Sequence, residues 1–158
     1  MKIIFRYTLF VLILLFVFSI VLLKINPPLA HGSIGTTEDK HTVIVAVGNK
    51  NLLGNIQITD VSINNNQSAP NAKIQVSDSD KGFMLTDTYA LVEDTMHDYE
   101  TFSLGPDTSP LANKAVASPA QTSPTKIYGL SITEDTSIDS INLTYRYLGL
   151  VFFTTIKV

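Results

Sequence analysis

The chain has 158 residues, 45% of them hydrophobic, with no cysteine, no tryptophan and a formal net charge of −3. The lack of cysteine excludes disulfides, a lipidated N-terminal cysteine, c-type haem attachment, cysteine-ligated iron–sulfur clusters and thiolate zinc sites, so stability has to come from a packed core. All fourteen acidic residues but only eight of the eleven basic ones lie beyond residue 31, which leaves that part at about −6 and disfavours both nucleic acid and a flat anionic lipid surface as partners.

The first predicted element is an apolar helix. Tyr7 to Leu23 is a run without charge, closed by Arg6 and Lys24. At ~1.5 Å per residue it covers roughly 25 Å of a hydrocarbon layer about 30 Å thick, and Ile3, Ile4, Phe5 and Ile25 can lengthen it while Lys24 reaches back to the interface. Residues 7–24 are therefore expected to cross a lipid bilayer. Lys2, Arg6 and the amino terminus outweigh the charges that follow, which predicts residues 1–6 in the cytoplasm and the rest outside it. The alternative is a secretory signal cleaved near Ala30. Against it stand the length of the apolar run and the stiff Asn26, Pro27, Pro28 approach, with Pro28 where a small residue is wanted.

Residues 25–41 are rich in Pro, Gly, Ser and Thr and read as a flexible stalk. Residues 42–158 suffice for one domain. Thr42 to Val47 reads as a buried strand, ended by Gly48, Asn49, Lys50 and Asn51. Ile56 to Ile63 alternates with a parity change, Ile56 and Ile58 against Val61 and Ile63, and a bulge near Thr59 and Asp60 would bring all four to one side. After a polar loop at Asn64 to Pro70, Ile74 and Val76 mark a short strand, closed by a turn from Asp78 to Gly82. Phe83 to Val92 is expected as the next strand, interrupted by Asp87, with a return strand around Tyr99 to Leu104.

Gly105 to Thr125 carries Pro106, Pro110, Pro119 and Pro124 and is long for a connection. It reads either as an excursion or as a short helix capped by Ser109 and running from Pro110 through Val116. Ile127 to Ile132 then forms a strand. Ile141, Leu143, Tyr145 and Tyr147 share one face of the next, and a loop at Leu148 and Gly149 sets Tyr147 against Leu150, Tyr145 against Phe152, Leu143 against Thr154 and Ile141 against Ile156. Gly149 there suits a type II turn. Seven or eight short strands without a βαβ crossover give a mainly β chain: an N-terminal transmembrane helix followed by an antiparallel β-sandwich. Its architecture resembles the immunoglobulin fold, without the Cys and Trp that mark true members.

Chemistry-bearing clusters are sparse. Asp78, Asp80 and Gly82 miss the calcium-loop spacing, because a Gly at the sixth position would put Ser77, Ser79 and Lys81 in the ligand places. Glu93, Asp94, His97 and Asp98 could hold a divalent metal only on a helix, and a single imidazole among carboxylates favours a surface turn instead. Of the three possible imidazole bases, His31 and His41 fall in the stalk and His97 in that turn, and Glu134 and Asp135 are adjacent turn residues. Asn66 and Asn142 begin Asn-x-Ser/Thr triplets. Val151 and Phe153 lie on the less apolar face of the last hairpin beside Arg146. With Tyr128 they form the candidate interaction patch, a site for a protein partner or for self-association.

The expected function is a membrane-anchored, extracytoplasmic, non-catalytic binding module, with no cofactor and no metal. The alternatives are an accessory subunit of a membrane complex and a small metal-dependent enzyme.

Overall fold

A computed structural model describes residues 2–86, 93–110 and 125–158. A helix, α1 (Lys2–Ile25), is followed by strands β1 (Leu29–Thr36), β2 (Thr42–Asn49), β3 (Ile56–Ile63), β4 (Gln67–Ser68) and β5 (Lys73–Asp78). After a 3-10 turn at Glu93–Thr95 come β6 (Met96–Asp98), β7 (Ser103–Leu104), β8 (Lys126–Thr133), β9 (Ser140–Tyr147) and β10 (Leu150–Lys157). The strands make two antiparallel sheets. One has the order β1-β2-β8-β5-β6 and the other β10-β9-β3-β4, with β7 also on β3.

One buried cluster draws on both sheets. Val43, Val45, Val47, Leu130 and Ile132 come from the first, and Ile56, Ile58, Val61, Ile63, Ile141, Leu143, Tyr145, Phe152 and Ile156 from the second. The expected bulge is present, with the β3–β9 register shifting between Ile58 and Asp60. It puts Ile56, Ile58, Val61 and Ile63 all in the core. The β9–β10 register also matches the alternation: Tyr147 faces Leu150, Tyr145 faces Phe152 and Ile141 faces Ile156. The turn differs, because Leu148 (φ 48°) and Gly149 (φ 79°) are both left-handed. That is the type I′ pattern, whose twist matches the strands, and not type II.

Three further expectations are corrected. The stretch assigned to the stalk contains β1, which pairs with β2 from Leu29↔Asn49 to Thr36↔Val43 around a bulge at His31/Ile34. An edge strand satisfies its backbone on one neighbour only, so two buried side chains, Leu29 and Ala30, suffice where composition alone suggested a tether. Phe83 to Thr86 is not a strand, and the rest of that expected strand, including Asp87, Tyr89 and Leu91, lies outside the described residues. The single return strand is instead two short ones, β6 on the first sheet and β7 on the second. The short helix expected from Pro110 to Val116 also falls, beyond Pro110, outside the described residues.

The two outer faces are not equivalent. All eight residues of β2 are buried, because the outer side of the first sheet is roofed by loop residues. A Cβ on Gly48 would lie 1.9 Å from the Thr108 carbonyl oxygen, and one on Gly129 would lie 2.9 Å from the Phe83 ring. On the second sheet β9 and β10 alternate buried and open positions. Its outer face carries no comparable roof among the described residues.

Helix α1 stands clear of the sheets, and its 20-residue apolar window from Arg6 to Ile25 has no buried share. Its last turn touches the domain, where Leu23 packs against the core.

Candidate binding face on the second sheet

The open face is built in cross-strand rows. β3, β9 and β10 bring Gln57, Arg146 and Val151 into one row, Asp60, Thr144 and Phe153 into the next, and Ser62, Asn142 and Thr155 into a third. Alternation on β9 turns Leu143 and Tyr145 inward, which forces Asn142, Thr144 and Arg146 outward. The β3 bulge puts Asp60 in register with Thr144, and so its carboxylate joins this face.

The rows enclose a shallow groove of about 470 Å³, lined by Asp60, Ser62, Asn66, Asn142, Thr144 and Phe153 among others. Part of its polar wall is already ordered. Thr155 Oγ1 donates to Asn142 Oδ1 at 2.8 Å, while the Asn142 amide donates to the Asn64 carbonyl at 3.2 Å. Asn66, in the tight loop between β3 and β4, has φ 63°, a conformation asparagine tolerates. Both Asn-x-Ser/Thr triplets thus border the same groove, and the Asn142 side chain is hydrogen-bonded within it.

Phe153 stands out of this polar setting with 75% of its surface exposed. At the β3 border, Gln57 Nε2 donates to the Glu100 carbonyl at 2.7 Å. Burial raises the pKa of the neighbouring Tyr99, and the carboxylates of Glu100 and Asp60 add to the effect. The face therefore offers an exposed aromatic ring and an adjacent cation on one side, and hydroxyls, amides and a carboxylate on the other. None of the three histidines lines it.

Three members of the candidate patch meet here: Val151 is opposite Arg146, and Phe153 is one row away. Tyr128 is not with them. It belongs to β8 in the other sheet, packs against the core and tilts on Phe102 at a ring separation of 5.6 Å. Asn66, Asn142 and Asp60 also belong to this face, although the sequence does not point to them as part of the patch. Their place depends on the β3 bulge and on which strands pair, of which the bulge alone was readable.

The remaining clusters are structural in arrangement. Asp78 closes a turn by accepting from the Lys81 and Gly82 amides and pairs with Lys81 at 3.8 Å. His97 lies on β6 opposite Ile74 and stacks on Phe102 at 5.3 Å, while Asp98 pairs with Lys73 at 3.8 Å. Among the described residues no group of three or more His, Asp and Glu could hold a metal ion. Asp39 accepts from Thr37 Oγ1 at 2.6 Å and from the His41 amide at 3.1 Å, bonds that lower its pKa.

No family model matches the chain, and neither a curated protein nor a solved structure is detectably similar to it. The face just described is thus the starting point for function.

Proposed function

We propose that this protein is a membrane-anchored binding module, held by residues 7–24 in a bilayer, with an immunoglobulin-like sandwich that engages a protein partner outside the cytoplasm. One observation carries the proposal. A 75% exposed Phe153, beside Val151 and Arg146, sits on a sheet face that is open among the described residues, while the opposite face is roofed. Exposed aromatic and Arg side chains side by side are the groups that most often dominate protein interfaces.

The sandwich reading rests on strand order. β1-β2-β8-β5 runs as A-B-E-D of an immunoglobulin domain, and β10-β9-β3 runs as G-F-C. Where antibody domains join their B and F strands by a disulfide, β2 and β9 here supply Val43, Val45, Leu143 and Tyr145 to the shared core. The anchor reading rests on an apolar helix none of whose residues from Arg6 to Ile25 is buried in the protein, since so much apolar area in water would be costly. Ala30 is buried within β1 opposite Gly48, so cleavage there would cut into a paired strand; this favours an uncleaved anchor.

A second reading, accessory subunit of a membrane complex, is favoured by the joint between helix and sheets. Only Asn26, Pro27 and Pro28 separate α1 from β1, and the Lys50 amide fixes Pro28 by donating to its carbonyl at 3.0 Å. With α1 in a bilayer, so short a joint would keep the open face near the membrane, within reach of another membrane protein.

The test is a photo-crosslinking residue at position 153 in the full chain, expressed in membranes of its own cells, with Thr136 as the control position. A discrete protein adduct at 153 that disappears with Arg146→Glu is expected. Equal, diffuse labelling at 153 and 136 would contradict the proposed face. An adduct to another integral membrane protein selects the subunit reading.

A further inference from the structure

Three apolar side chains are stranded at the end of the domain from which the helix leaves. Leu52 and Leu53, in the β2–β3 loop, are 74% and 76% exposed, and Leu148, in the β9–β10 turn, is 62% exposed. They are neighbours. The Tyr147 hydroxyl donates to the Leu53 carbonyl at 2.6 Å, and a Cβ on Gly54 would lie 2.9 Å from the Leu148 side chain.

The helix exit is at the same place. Lys50 donates through its ammonium group to the Asn26 side chain, and Lys24 donates to the Val151 carbonyl, three residues past Leu148. Ile25, the last residue of the helix, is 75% exposed.

Leu148 is the most telling of the group. A two-residue type I′ turn needs positive φ at its first central position, where Asn, Asp or Gly is favoured. Here leucine occupies that position at φ 48° and points its side chain into solvent. It breaks the local rule of the turn and the global rule of burial together, and such double violations point to a use outside the folded chain itself.

We propose that Leu52, Leu53 and Leu148 insert into the interfacial layer of the bilayer that α1 crosses, so that the domain is seated on the membrane and not held away from it. The inference rests on the anchor reading above and adds a second contact to it. A three-residue link spans at most about 10 Å, so a helix in the bilayer keeps this end of the domain within that distance of the helix exit. Leucines at that depth exchange water for acyl chain, while Lys24 and Lys50 beside them stand at headgroup level. Because the rest of the domain is acidic, insertion is apolar in origin and needs no anionic lipid.

The absence of cysteine makes the test direct. Leu53→Cys, Leu148→Cys, Leu15→Cys and Thr136→Cys are each placed in the full chain, labelled with an environment-sensitive fluorophore and reconstituted in phosphatidylcholine vesicles with iodide on both sides. Position 15 marks the span. Position 136 lies in the β8–β9 connection at the opposite end of β9 from the turn.

The expected result is that positions 53 and 148 are quenched by lipids carrying a doxyl group high on the acyl chain. Iodide quenching there should be about fivefold or more below position 136, as interfacial burial implies. Iodide reaching 53 and 148 as readily as 136, with 15 still protected, overturns the seating and leaves the anchor standing. Access at 15 as well overturns both. Protection of 53 and 148 from iodide without quenching by doxyl lipid means that a second copy covers the leucines, and this also overturns the proposal.

Discussion

The Lys24 ammonium lies 4.3 Å from the centre of the Phe152 ring, so the last turn of the apolar helix is clasped to the core of the second sheet. Phe152 in turn stacks on Tyr145 at 5.4 Å, which links the helix exit to a fully buried aromatic of the domain. A cation over a ring is worth about 0.5–1 kcal/mol at an exposed site. Lys24→Met should lower the stability of the detergent-solubilised chain by roughly that amount, and Lys24→Arg should recover most of it. Thermal unfolding of the three forms side by side checks both.

The left-handed leucine has a stability consequence of its own. A non-glycine residue at φ 48° costs about 1–2 kcal/mol relative to one that tolerates this region. Leu148→Gly and Leu148→Asn should therefore raise the denaturation midpoint of the detergent-solubilised chain. A lower midpoint for both would show that the side chain packs within the protein.

Gly48 is fixed by crowding and not by its backbone angle. Its missing side chain makes room for the Thr108 carbonyl, and the Thr108 amide donates to the Asn49 carbonyl at 2.8 Å. Gly48→Ala has to push this roof off the first sheet, at a cost of about 1–3 kcal/mol by analogy with other overpacked sites. Faster hydrogen exchange at the Thr108 amide in the variant would locate the damage.

Tyr145 supplies a pH signature. Its ring is fully buried, and its hydroxyl, although close to Thr154 and the Leu29 backbone, makes no hydrogen bond of acceptable geometry. Burial raises its pKa above the ordinary value of 10.0, with the Thr154 side chain and the Leu29 backbone acting in the opposite direction. The folded state thus holds the phenol proton more tightly than the unfolded chain. The associated stability is complete below pH 10 and is lost as pH rises through the higher folded value. Tyr145→Phe should change stability at pH 7 by no more than about 1 kcal/mol, since it removes an unpaired hydroxyl. It should also flatten the alkaline decline, which unfolding midpoints measured from pH 8 to 11 would reveal.

Much of the fold could be read from local pattern. The parity change in Ile56–Ile63 located the bulge, and the alternation of Ile141–Tyr147 set the register of the last hairpin, because both are properties of one or two strands. What escaped depends on distant partners. β1 looks like a tether until β2 offers it an edge, and Phe83 looks like a strand residue until Gly129 leaves a space beneath it. The candidate patch divides along the same line. Arg146, Val151 and Phe153 come from one hairpin and stay together, whereas Tyr128 is carried to the other sheet by a strand pairing no short window contains. The turn at Leu148 and Gly149 is legible in position but not in type, since a leucine with positive φ runs against its own preference.

The most direct measurement of the central claim is the fate of the full chain when protease is added to intact cells that express it. The expected outcome is that residues 42–158 are attacked from outside, while a fragment containing the span stays in the membrane through alkaline carbonate extraction. Release of the whole chain by carbonate, or protection of the domain until the cells are lysed, would contradict an anchored module working beyond the cytoplasm.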